Sequence, residues 1–512
     1  MSDIVSRLFS RKPIAALMAE ADNPNGLKRV LGPLDLIMLA IGAVIGAGIF
    51  GAIGTAAAGE LDGAGHVVRS GAGPALVLSF LLLGVVCALA ALCYAELAAM
   101  IPQAGSAYAY SYATLGEIVA WIIGWDLILE YAVGNVAVAI SWGDYFKTLT
   151  AGALQLPDWL STGYRTALLS PDPAVHGLIQ SAPHVLGIPI LVNIPAAAIV
   201  MLITWLLVVG VRESSRANNV MVAVKLITLA VFIAFGVTHI SPANYHPFAP
   251  NGWHGIKQGA AIVFFAYIGF DAISTAAEET KNPQRNMPIG ILGGLAICTV
   301  IYIVVGAVLT GMVPYGQLAV ADPLAKALQL AGLNNVGRVV AFGAVFSMTA
   351  VLLVFQYGQP RIFFAMARDG LLPPFAAKIH GKYRTPYITT ILTGLFVAGW
   401  ALVGDAGETY DLTNIGTLFA FVLVCIGVLV LRHTDPDRPR PFRLPGGKVG
   451  LWFITLSGAA ACFYVMKNLP LVTWKRFGIW LMIGLVLYLF YGYKHSKLGR
   501  GAEIVARDDT AR

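Results

Sequence analysis

Three ionisable side chains lie inside long apolar stretches of this sequence, where a charge is costly unless it has a partner. They are Glu130 in WDLILEY, Lys225 in VAVKLIT and Asp271 in YIGFDAI. A buried ammonium beside a buried carboxylate can gain or lose a proton as its surroundings change, and we expect Lys225 to have Asp271 as its partner. The chemistry that these residue types support is ion binding and proton transfer.

Each of these residues also has a purely structural interpretation. The long side chain of Lys225 can instead extend back to the end of its apolar stretch. Glu130 lies four residues after Asp126, hence on the same face of a helix, and either carboxyl group can serve only as a hydrogen-bonding group of the core. We retain Glu130 as a candidate for a pocket or proton pathway and regard Asp126 as the weaker one. Three other acidic residues fall at the ends of apolar stretches, where solvation or salt bridges are ordinary: Glu96, Glu278 and Glu279.

Glycines interrupt two apolar stretches that are otherwise long enough to form continuous helices. Residues 41–51 read IGAVIGAGIFG, and residues 264–275 read FFAYIGFDAIST. Glycine destabilises a helix by about 1 kcal/mol relative to alanine, so Gly46, Gly48 and Gly269 are candidate helix breaks. The glycine spacing of the first stretch alone also fits close helix packing. The second interrupted stretch is what favours opened helices.

Breaks in these two stretches would free backbone groups that suit the two ends of a zwitterion. A helix that restarts near Ala47 points the N–H groups of Ala47, Gly48 and Ile49 at a carboxylate, which the positive end of a helix favours. Carbonyl oxygens on the other side of the break would face an ammonium group. We expect these to be the carbonyls of Val44, Ile45, Phe265, Ala266 and Ile268.

The composition places these residues in a membrane protein. The chain has 512 residues, of which 57% are hydrophobic and 12% charged, and its mean hydropathy is +0.74. About 20 apolar residues span a bilayer, and no loop between the apolar windows has room for a sizeable soluble domain. Twelve windows of sufficient length predict an all-α, multi-pass fold: 34–58, 74–100, 114–145, 187–211, 217–239, 256–276, 288–312, 337–366, 386–404, 410–432, 449–467 and 475–493.

The two interrupted windows are the first and the sixth, hence five windows apart. If the first five spans begin inside and end outside, the next five cross the membrane in the opposite orientation. A pair of interrupted helices at matching positions in two such halves indicates the binding site of a transporter. We therefore predict a 5+5 inverted-repeat fold with discontinuous helices 1 and 6 and two extra C-terminal helices. The predicted units are an N-terminal segment (1–33), the two repeats (34–239 and 240–432), helices 11 and 12 (433–493) and a tail (494–512).

Lys and Arg residues concentrate in the loops on one side of the predicted spans, above all within 361–384 and 432–448. This asymmetry is typical of cytoplasmic loops. It predicts a protein of the cytoplasmic (inner) membrane with both termini in the cytoplasm. Because this topology accounts for the net charge of +7, we expect the lipid bilayer and a free solute as partners, and no nucleic acid.

The sequence offers no arrangement for covalent catalysis or for metal binding. All five cysteines fall inside apolar windows, no Cys/His cluster has metal-ligand spacing, and no His/Glu metal motif or Ser/Lys dyad has suitable spacing. We expect no cofactor, no metal, no disulfide framework and no enzymatic activity, with the proton as the coupling ion. A membrane nutrient sensor is the non-transport alternative, but it would need a soluble domain or a partner surface.

The chain resembles the cationic amino acid transporter branch of the amino acid–polyamine–organocation (APC) superfamily. The resemblance covers essentially the whole chain and rests on five long segments in order: GLKRVLGPLDLIMLAIGAVIGAGIF, AGPALVLSF with CALAALCYAELAAMIPQAGSAYAYSYATLGE, IIGWDLILEY, FFAYIGFDAISTAAEETKNPQRNMPIGI and GQPRIFFAMARDGLLP. It implies an amino acid permease that works by alternating access, with bacterial members similar to proton-coupled importers.

The resemblance also implies roles for particular residues. It implies unwound backbone at residues 44–48 and 265–268, with Phe265 as an aromatic lid over the substrate. Lys225 resembles a lysine that fills the sodium position of other transporters, with Asp271 as its carboxylate neighbour. Glu130 looks like the acidic residue of the family's third span.

Departures from the family pattern bear on the substrate. Gly-Ala-Ile-Gly-Thr follows Phe50 where relatives commonly carry a bulkier run, and the loop before Pro74 is longer. In the eighth window Phe355, Gln356 and Tyr357 are bulky and would narrow a pocket. We therefore predict uptake of small neutral amino acids. The alternatives are a cationic (Arg/Lys) transporter and an amino acid/polyamine exchanger, and a small membrane subunit is left open as a partner.

Overall fold

The computed structural model describes residues 7–21, 29–62, 65–103, 105–150, 156–210 and 215–501, most of which are helical. The uninterrupted long helices are Leu76–Met100, Ile194–Val209, Ser215–Val237, Pro283–Met312, Asn334–Arg368, Tyr387–Val403, Ala406–Thr434, Gly447–Met466 and Leu471–Leu487. Parts of the predicted N-terminal segment (1–33) and of the predicted tail (494–512) lie outside the described residues.

Three further long segments change helix type along their length. They comprise Pro33–Val44, Gly48–Ala52 and Ile53–Ala58; then Glu117–Ile128, Leu129–Val133 and Gly134–Thr150; and finally Gly252–Val263, Phe264–Tyr267 and Asp271–Glu279. Both Gly48–Ala52 and Leu129–Val133 are π-helical, whereas the last two pieces of the third segment are 3₁₀. Such irregular turns inside helices frequently coincide with functional sites.

Short elements connect these segments. The short helices are Ile14–Ala21, Gly73–Ala75, Ser106–Thr114, Asp158–Ser161, Tyr164–Leu169, Pro173–His176, Leu178–Ser181, Pro242–Tyr245, Tyr315–Gln317, Pro323–Leu330, Pro374–Ala377, Tyr488–Gly492 and Tyr493–His495. Two antiparallel hairpins pair Gly59–Leu61 with Val67–Ser70 and His184–Val185 with Ile188–Pro189. The first hairpin directly follows the first broken segment, in the loop where the sequence departs from the family pattern.

The helices are long and apolar enough for a multi-pass membrane protein. Within the described residues, nine helices could each cross a bilayer, and the bent pair Pro33–Val44 and Gly48–Ala58 makes a tenth candidate. Ile194–Val209 and Tyr387–Val403 are shorter apolar helices. The predicted all-α, multi-pass architecture is therefore confirmed at this level.

The burial of each helix separates the centre of the bundle from its rim. The most apolar part of Gly252–Glu279 is 94% buried and that of Glu117–Thr150 is 89% buried, whereas that of Leu471–His495 is only 22% buried. Large apolar side chains such as Trp400 and Phe490 are exposed on the outer helices, as expected where the surroundings are lipid. The segments with irregular turns thus form the centre.

The two described ends of the chain pack together on one face of the molecule. The guanidinium of Arg7 lies 4.0 Å from the centre of the Tyr493 ring, and Lys12 Nζ lies 2.9 Å from a carboxylate oxygen of Asp369. The backbone N–H of Lys497 donates to the Asp369 carbonyl at 3.1 Å. We call this side the termini face, and we call the opposite side, which carries the hairpin of residues 59–70, the hairpin face.

Candidate functional site

The first broken segment loses its helical ladder where the sequence analysis expected it. The helix Pro33–Val44 ends before Ile45, whose backbone is extended (ψ 103°), and a helix resumes at Gly48 after a bend of 47°. Gly46 faces Val351, and a Cβ atom at this glycine would lie 2.8 Å from Val351 Cγ2. A larger residue at position 46 would therefore require the Val351 side chain to move.

The second broken segment opens at Ile268 and Gly269. After the 3₁₀ turn Phe264–Tyr267, Ile268 is extended (ψ 136°) and Gly269 has φ +113°, and a second 3₁₀ turn begins at Asp271. Side chains strongly disfavour that φ value, whereas glycine adopts it readily. The break therefore depends on glycine at this position.

The two breaks meet backbone against backbone. A Cβ atom at Gly48 would lie 2.3 Å from Ala266 Cα, and one at Gly269 would lie 3.1 Å from the Ala43 carbonyl carbon. A methyl group in place of the Gly48 hydrogen has no room, because the atoms that it meets belong to the opposing main chain. The interrupted parts of both segments thus form one site at the centre of the bundle.

Lys225 binds the end of the first half-helix. Its ammonium donates hydrogen bonds to the Gly42 carbonyl (2.6 Å) and the Ile45 carbonyl (3.0 Å), and the side chain is fully buried. These carbonyls lie at the negative end of a helix, which favours a cation. The expected ion pair with Asp271 is not formed in this structure, and the side chain does not extend back toward the surface.

Other side chains occupy the carbonyls that were expected to face an ammonium. The Tyr302 hydroxyl donates to the Val44 carbonyl at 3.0 Å, and the Ser347 hydroxyl donates to the Ile45 carbonyl at 3.3 Å. Together with Lys225, Ser347 supplies the Ile45 oxygen with two donors, which fill both of its lone pairs. In this conformation the Ile45 carbonyl therefore has no lone pair left for an ammonium group.

The amides of the first break are also partly engaged. The N–H of Ile49 donates to the Gly46 carbonyl at 3.2 Å, so Ile49 belongs to the restarted turn. In the second break, the N–H of Ile268 donates to the Phe265 carbonyl at 3.3 Å. The sequence does not distinguish these groups from the other backbone groups of the breaks. In the structure, the Ile49 N–H and the Phe265 carbonyl already form hydrogen bonds within their own segments.

Two buried carboxyl groups lie side by side next to the second break. Glu130, in the π-helical turn Leu129–Val133, is a neighbour of Asp271 and of Thr417. None of the carboxyl oxygens of Glu130 and Asp271 has a hydrogen-bond partner among the described residues. Two carboxylates can only accept, so a hydrogen bond between them would require a proton on one of them. Asp126, one turn away, is likewise buried. The structure thus places Asp271 next to Glu130, whereas the sequence predicted Lys225 as its partner.

Aromatic rings pack around a glycine near the breaks. The Phe265 ring lies 4.6 Å from that of Tyr410, and the Phe355 ring lies 5.6 Å from that of Tyr131. A Cβ atom at Gly134 would lie 3.4 Å from Phe355 and 3.7 Å from Phe265. These rings leave little room beside the breaks.

Phe355, Gln356 and Tyr357 of the eighth window were expected to narrow a pocket, but only Phe355 lies beside the breaks. Gln356 is buried away from the breaks, where its amide donates to the Thr204 hydroxyl at 2.5 Å. Tyr357 is 39% exposed and stacks with the Arg361 guanidinium. Consecutive helical residues point in directions about 100° apart, so three neighbours cannot all line one pocket.

Sequence analysis missed an ion-pair cluster that closes the hairpin face. Arg69, on the second strand of the hairpin, lies 2.8 Å from Asp411 and 2.5 Å from Glu60. Asp411 follows Tyr410, whose hydroxyl is 2.6 Å from that of Ser141. The only sequence signal for this cluster is an arginine in a polar loop, because nothing local to Arg69 indicates a partner 342 residues away.

Replacing Arg69 with glutamine is expected to loosen the hairpin face. Breaking a buried ion pair on one side typically costs about 3–5 kcal/mol, because the other charge stays buried. In this test Ser141→Cys, beneath Tyr410, is labelled with an impermeant maleimide. We expect the labelling to be at least severalfold faster in the Arg69→Gln variant than in the chain that keeps Arg69. All five native cysteines are buried, so they give a low background.

Arg476→Gln is the matched control for that experiment. Arg476 pairs with Glu408 at 2.7 Å, but both side chains are partly exposed, and such pairs contribute little. Equal labelling rates in the two variants would show that the Arg69 cluster does not hold this face closed.

The termini face contains a polar cavity. Its volume is about 180 Å³, and its walls include Lys12, Tyr108, Glu278, Arg368 and Asp369. The Tyr108 hydroxyl donates to Asp369 at 2.7 Å. The hairpin face is thus closed by ion pairs and rings, while the termini face holds space lined by polar groups.

A bundle of apolar helices, two of them broken where their main chains meet, is the architecture of a membrane transporter. The sequence matches the family model described as amino acid permease over residues 31–489, and the chain belongs to that family. The resemblance to the APC superfamily is therefore confirmed. The family indicates a transporter rather than an enzyme.

Named relatives cover nearly all of the chain. A methylthioribose transporter of Bacillus subtilis (strain 168) is 44% identical over 497 residues, which are 97% of this chain and 100% of the relative. A branched-chain amino acid permease of the same organism is 44% identical over 497 residues, 96% of this chain and 99% of the relative. The vacuolar cationic amino acid transporter 4 of Arabidopsis thaliana is 37% identical over 443 residues, 85% of this chain and 68% of the relative.

Proposed function

We propose that this permease takes up a small neutral amino acid together with protons by alternating access. The observation that carries the proposal is the contact of the two breaks at Gly48 and Ala266. It places backbone donors and acceptors, which suit the carboxylate and ammonium common to all amino acids, at one point inside the bundle. Side chains around that point then select among substrates.

The backbone groups divide between the two ends of the substrate. The N–H groups of Ala47 and Gly48 bind the carboxylate at the start of the second half-helix, where the helix end is positive. The carbonyls of Ala266 and Ile268 accept from the ammonium. Phe265 acts as a lid that moves with Tyr410, the ring it contacts.

Three residues carry the coupling to protons. As an ammonium, Lys225 binds the Gly42 and Ile45 carbonyls at the negative end of the first half-helix. Loss of its proton removes the positive charge that this helix end favours and so weakens both contacts. The carboxyls of Asp271 and Glu130 are neighbours beside the other break, and in this proposal they share one proton. Protonation thus changes the contacts at both breaks. A proton can drive a conformational change only if it binds the two conformations with different affinity, and these contacts would supply that difference.

The architecture that we propose has twelve spans in two inverted repeats of five with two added helices. Its support is the count of nine long helices, one bent pair and two shorter apolar helices among the described residues. The repeat boundaries are those given above, 34–239 and 240–432. In this arrangement the termini face is cytoplasmic and the protein lies in the cytoplasmic membrane.

The aromatic rings favour a small neutral substrate over a long cationic one. Phe265, Phe355 and Tyr131 crowd the space above Gly134, and arginine or lysine side chains would need to pass them. The relative named as a branched-chain amino acid permease fits this choice. The relatives named as cationic amino acid transporters support the alternative.

Transport in proteoliposomes tests the proposal. We expect an inward proton gradient to drive accumulation of labelled alanine or valine, and we expect unlabelled arginine or methylthioribose in tenfold excess not to compete. Counterflow that is independent of pH would indicate exchange instead. Accumulation of arginine would indicate the cationic alternative, and tight binding without transport would indicate a sensor.

Glu130→Gln is expected to abolish proton-driven accumulation while counterflow persists. The amide cannot take up or release the shared proton, but it keeps the size of the side chain. We expect at least a tenfold loss of accumulation under a pH gradient and less than a threefold loss of counterflow. Asp126→Asn, a buried acid on the same segment, is the control and should retain accumulation. Equal losses of both activities in Glu130→Gln would contradict the coupling role.

A further inference from the structure

An apolar groove opens on the outside of the bundle, away from the two breaks. It has a volume of about 310 Å³ and lies between the helix Tyr387–Val403, the connection at residues 372–376 and three other segments, which contribute Trp125, Phe363 and Trp480. Leu392 and Phe396 on its rim are exposed. Because they belong to an apolar helix at the edge of the bundle, the groove faces the lipid.

One polar atom in this groove has no partner in the protein. Thr393 lines the groove and is only 4% exposed, yet its hydroxyl makes no hydrogen bond among the described residues. Other threonines of this helix do bond to the backbone, as Thr389 and Thr390 do to the Pro386 carbonyl. An unpaired buried hydroxyl costs free energy, so the groove is suited to an apolar molecule that offers one acceptor.

A basic loop connects two of the pieces that line the groove. Residues 378–386 join the two lining pieces, the loop at 372–376 and the helix that begins at Tyr387, and they contain the exposed side chains of Lys378, Lys382 and Arg384. No Asp or Glu occurs between residues 370 and 404. Basic residues next to a groove between membrane helices are suited to an anionic lipid headgroup.

The expected depths of Thr393, the basic loop and the apolar walls in the membrane fit a single lipid molecule. Thr393 lies six residues after Tyr387, about 9 Å along the helix from the loop. The interfacial layer of a bilayer leaflet is about 5–7 Å thick, so Thr393 lies just below it, at the level of the ester groups and first chain carbons. The basic loop lies at headgroup level, and the apolar walls lie deeper.

We propose that this groove is a binding site for an anionic phospholipid. One acyl chain lies in the groove against Phe396 and the stacked rings of Trp125 and Trp480. An ester carbonyl accepts a hydrogen bond from Thr393, and the phosphate group binds Lys378 and Lys382. The site is independent of the amino acid site and of the transport proposal. Its lipid contacts the outer side of the segment that presents Glu130 to the centre, through Ile128 and Ala132.

Native mass spectrometry of the detergent-purified full chain tests this site. We expect dioleoyl phosphatidylglycerol to bind at least fivefold more tightly than dioleoyl phosphatidylcholine, which has the same chains. The Lys378→Gln/Lys382→Gln variant should lose that preference, and Thr393→Val should weaken both lipids about threefold. Lys448→Gln, which changes an exposed basic residue in the first turn of the helix Gly447–Met466, is the control and should bind like the original chain.

A groove-filling variant separates this site from general lipid contact. Leu392→Trp fills the groove from its exposed rim, whereas Leu395→Trp adds the same bulk to an exposed position of the same helix that does not line it. We expect only Leu392→Trp to abolish tight phosphatidylglycerol binding. Equal binding of the two lipids, binding unaffected by Leu392→Trp, or release of a bound apolar protein helix in place of lipid would each overturn the proposal.

Discussion

Lys225→Ala is expected to abolish proton-driven uptake, with a fall of at least a hundredfold in the initial rate. The substitution removes the ammonium that donates to the Gly42 and Ile45 carbonyls. A buried carbonyl left without its donor costs about 1–3 kcal/mol, which applies to Gly42, whereas the Ile45 carbonyl keeps the hydrogen bond from Ser347. The first break would then lose the contact that fixes its geometry.

The measurement is uptake of labelled amino acid into proteoliposomes with and without a pH gradient. Lys467→Ala, at an exposed position outside the long helices, is the matched control. Lys225→Met keeps most of the side-chain volume without the charge, so it distinguishes loss of the ammonium from loss of packing. Retained pH-dependent uptake in Lys225→Met, with a folded and monodisperse protein, would refute the role of Lys225 in coupling.

Gly48→Ala is expected to remove substrate binding and transport together. The added methyl carbon would lie 2.3 Å from Ala266 Cα and 2.5 Å from Ala266 N. Main-chain atoms cannot move aside as a flexible side chain can, so the two breaks would have to separate. A separation of about 1 Å is enough to spoil binding by backbone groups, and we expect uptake below a hundredth of the original rate.

Gly399→Ala is the control, because the same methyl group there meets no atom within 4 Å. Gly399 lies in the apolar helix Tyr387–Val403, so the control also tests a glycine within a membrane segment. Thermal stabilisation of the purified protein by the substrate amino acid reports binding separately from transport. Normal stabilisation of Gly48→Ala by that substrate would contradict a backbone site between the breaks.

Much of the architecture follows from local sequence. Apolar windows locate long helices because lipid requires uninterrupted apolar length, and the predicted window 74–100 differs by one residue from the candidate span Gly73–Met100. Glycines at 46, 48 and 269 indicate the breaks because glycine destabilises a continuous helix. Such signals need no knowledge of distant residues.

The partners of the site residues could not be obtained in the same way. Lys225 was assigned to Asp271 because opposite charges attract, but the open carbonyls of the first break offer it two hydrogen bonds, and Asp271 lies beside Glu130 instead. Arg69 likewise depends on Asp411, far away in the sequence. Charge identity predicts that a partner exists, whereas only packing determines which group it is.

The π-helical turn Leu129–Val133 has a consequence for changes in chain length. A π turn carries an extra residue relative to an α turn, and each helical residue advances the azimuth by about 100°. Deleting one residue within this turn would remove the extra residue and leave a regular α-helix, with the parts on either side in nearly the same register. The same deletion in a regular α turn of this segment would rotate everything downstream by that angle and move Ser141 and Tyr145 away from the groups that they contact. Shortening by one residue should therefore be tolerated better within residues 129–133 than outside them.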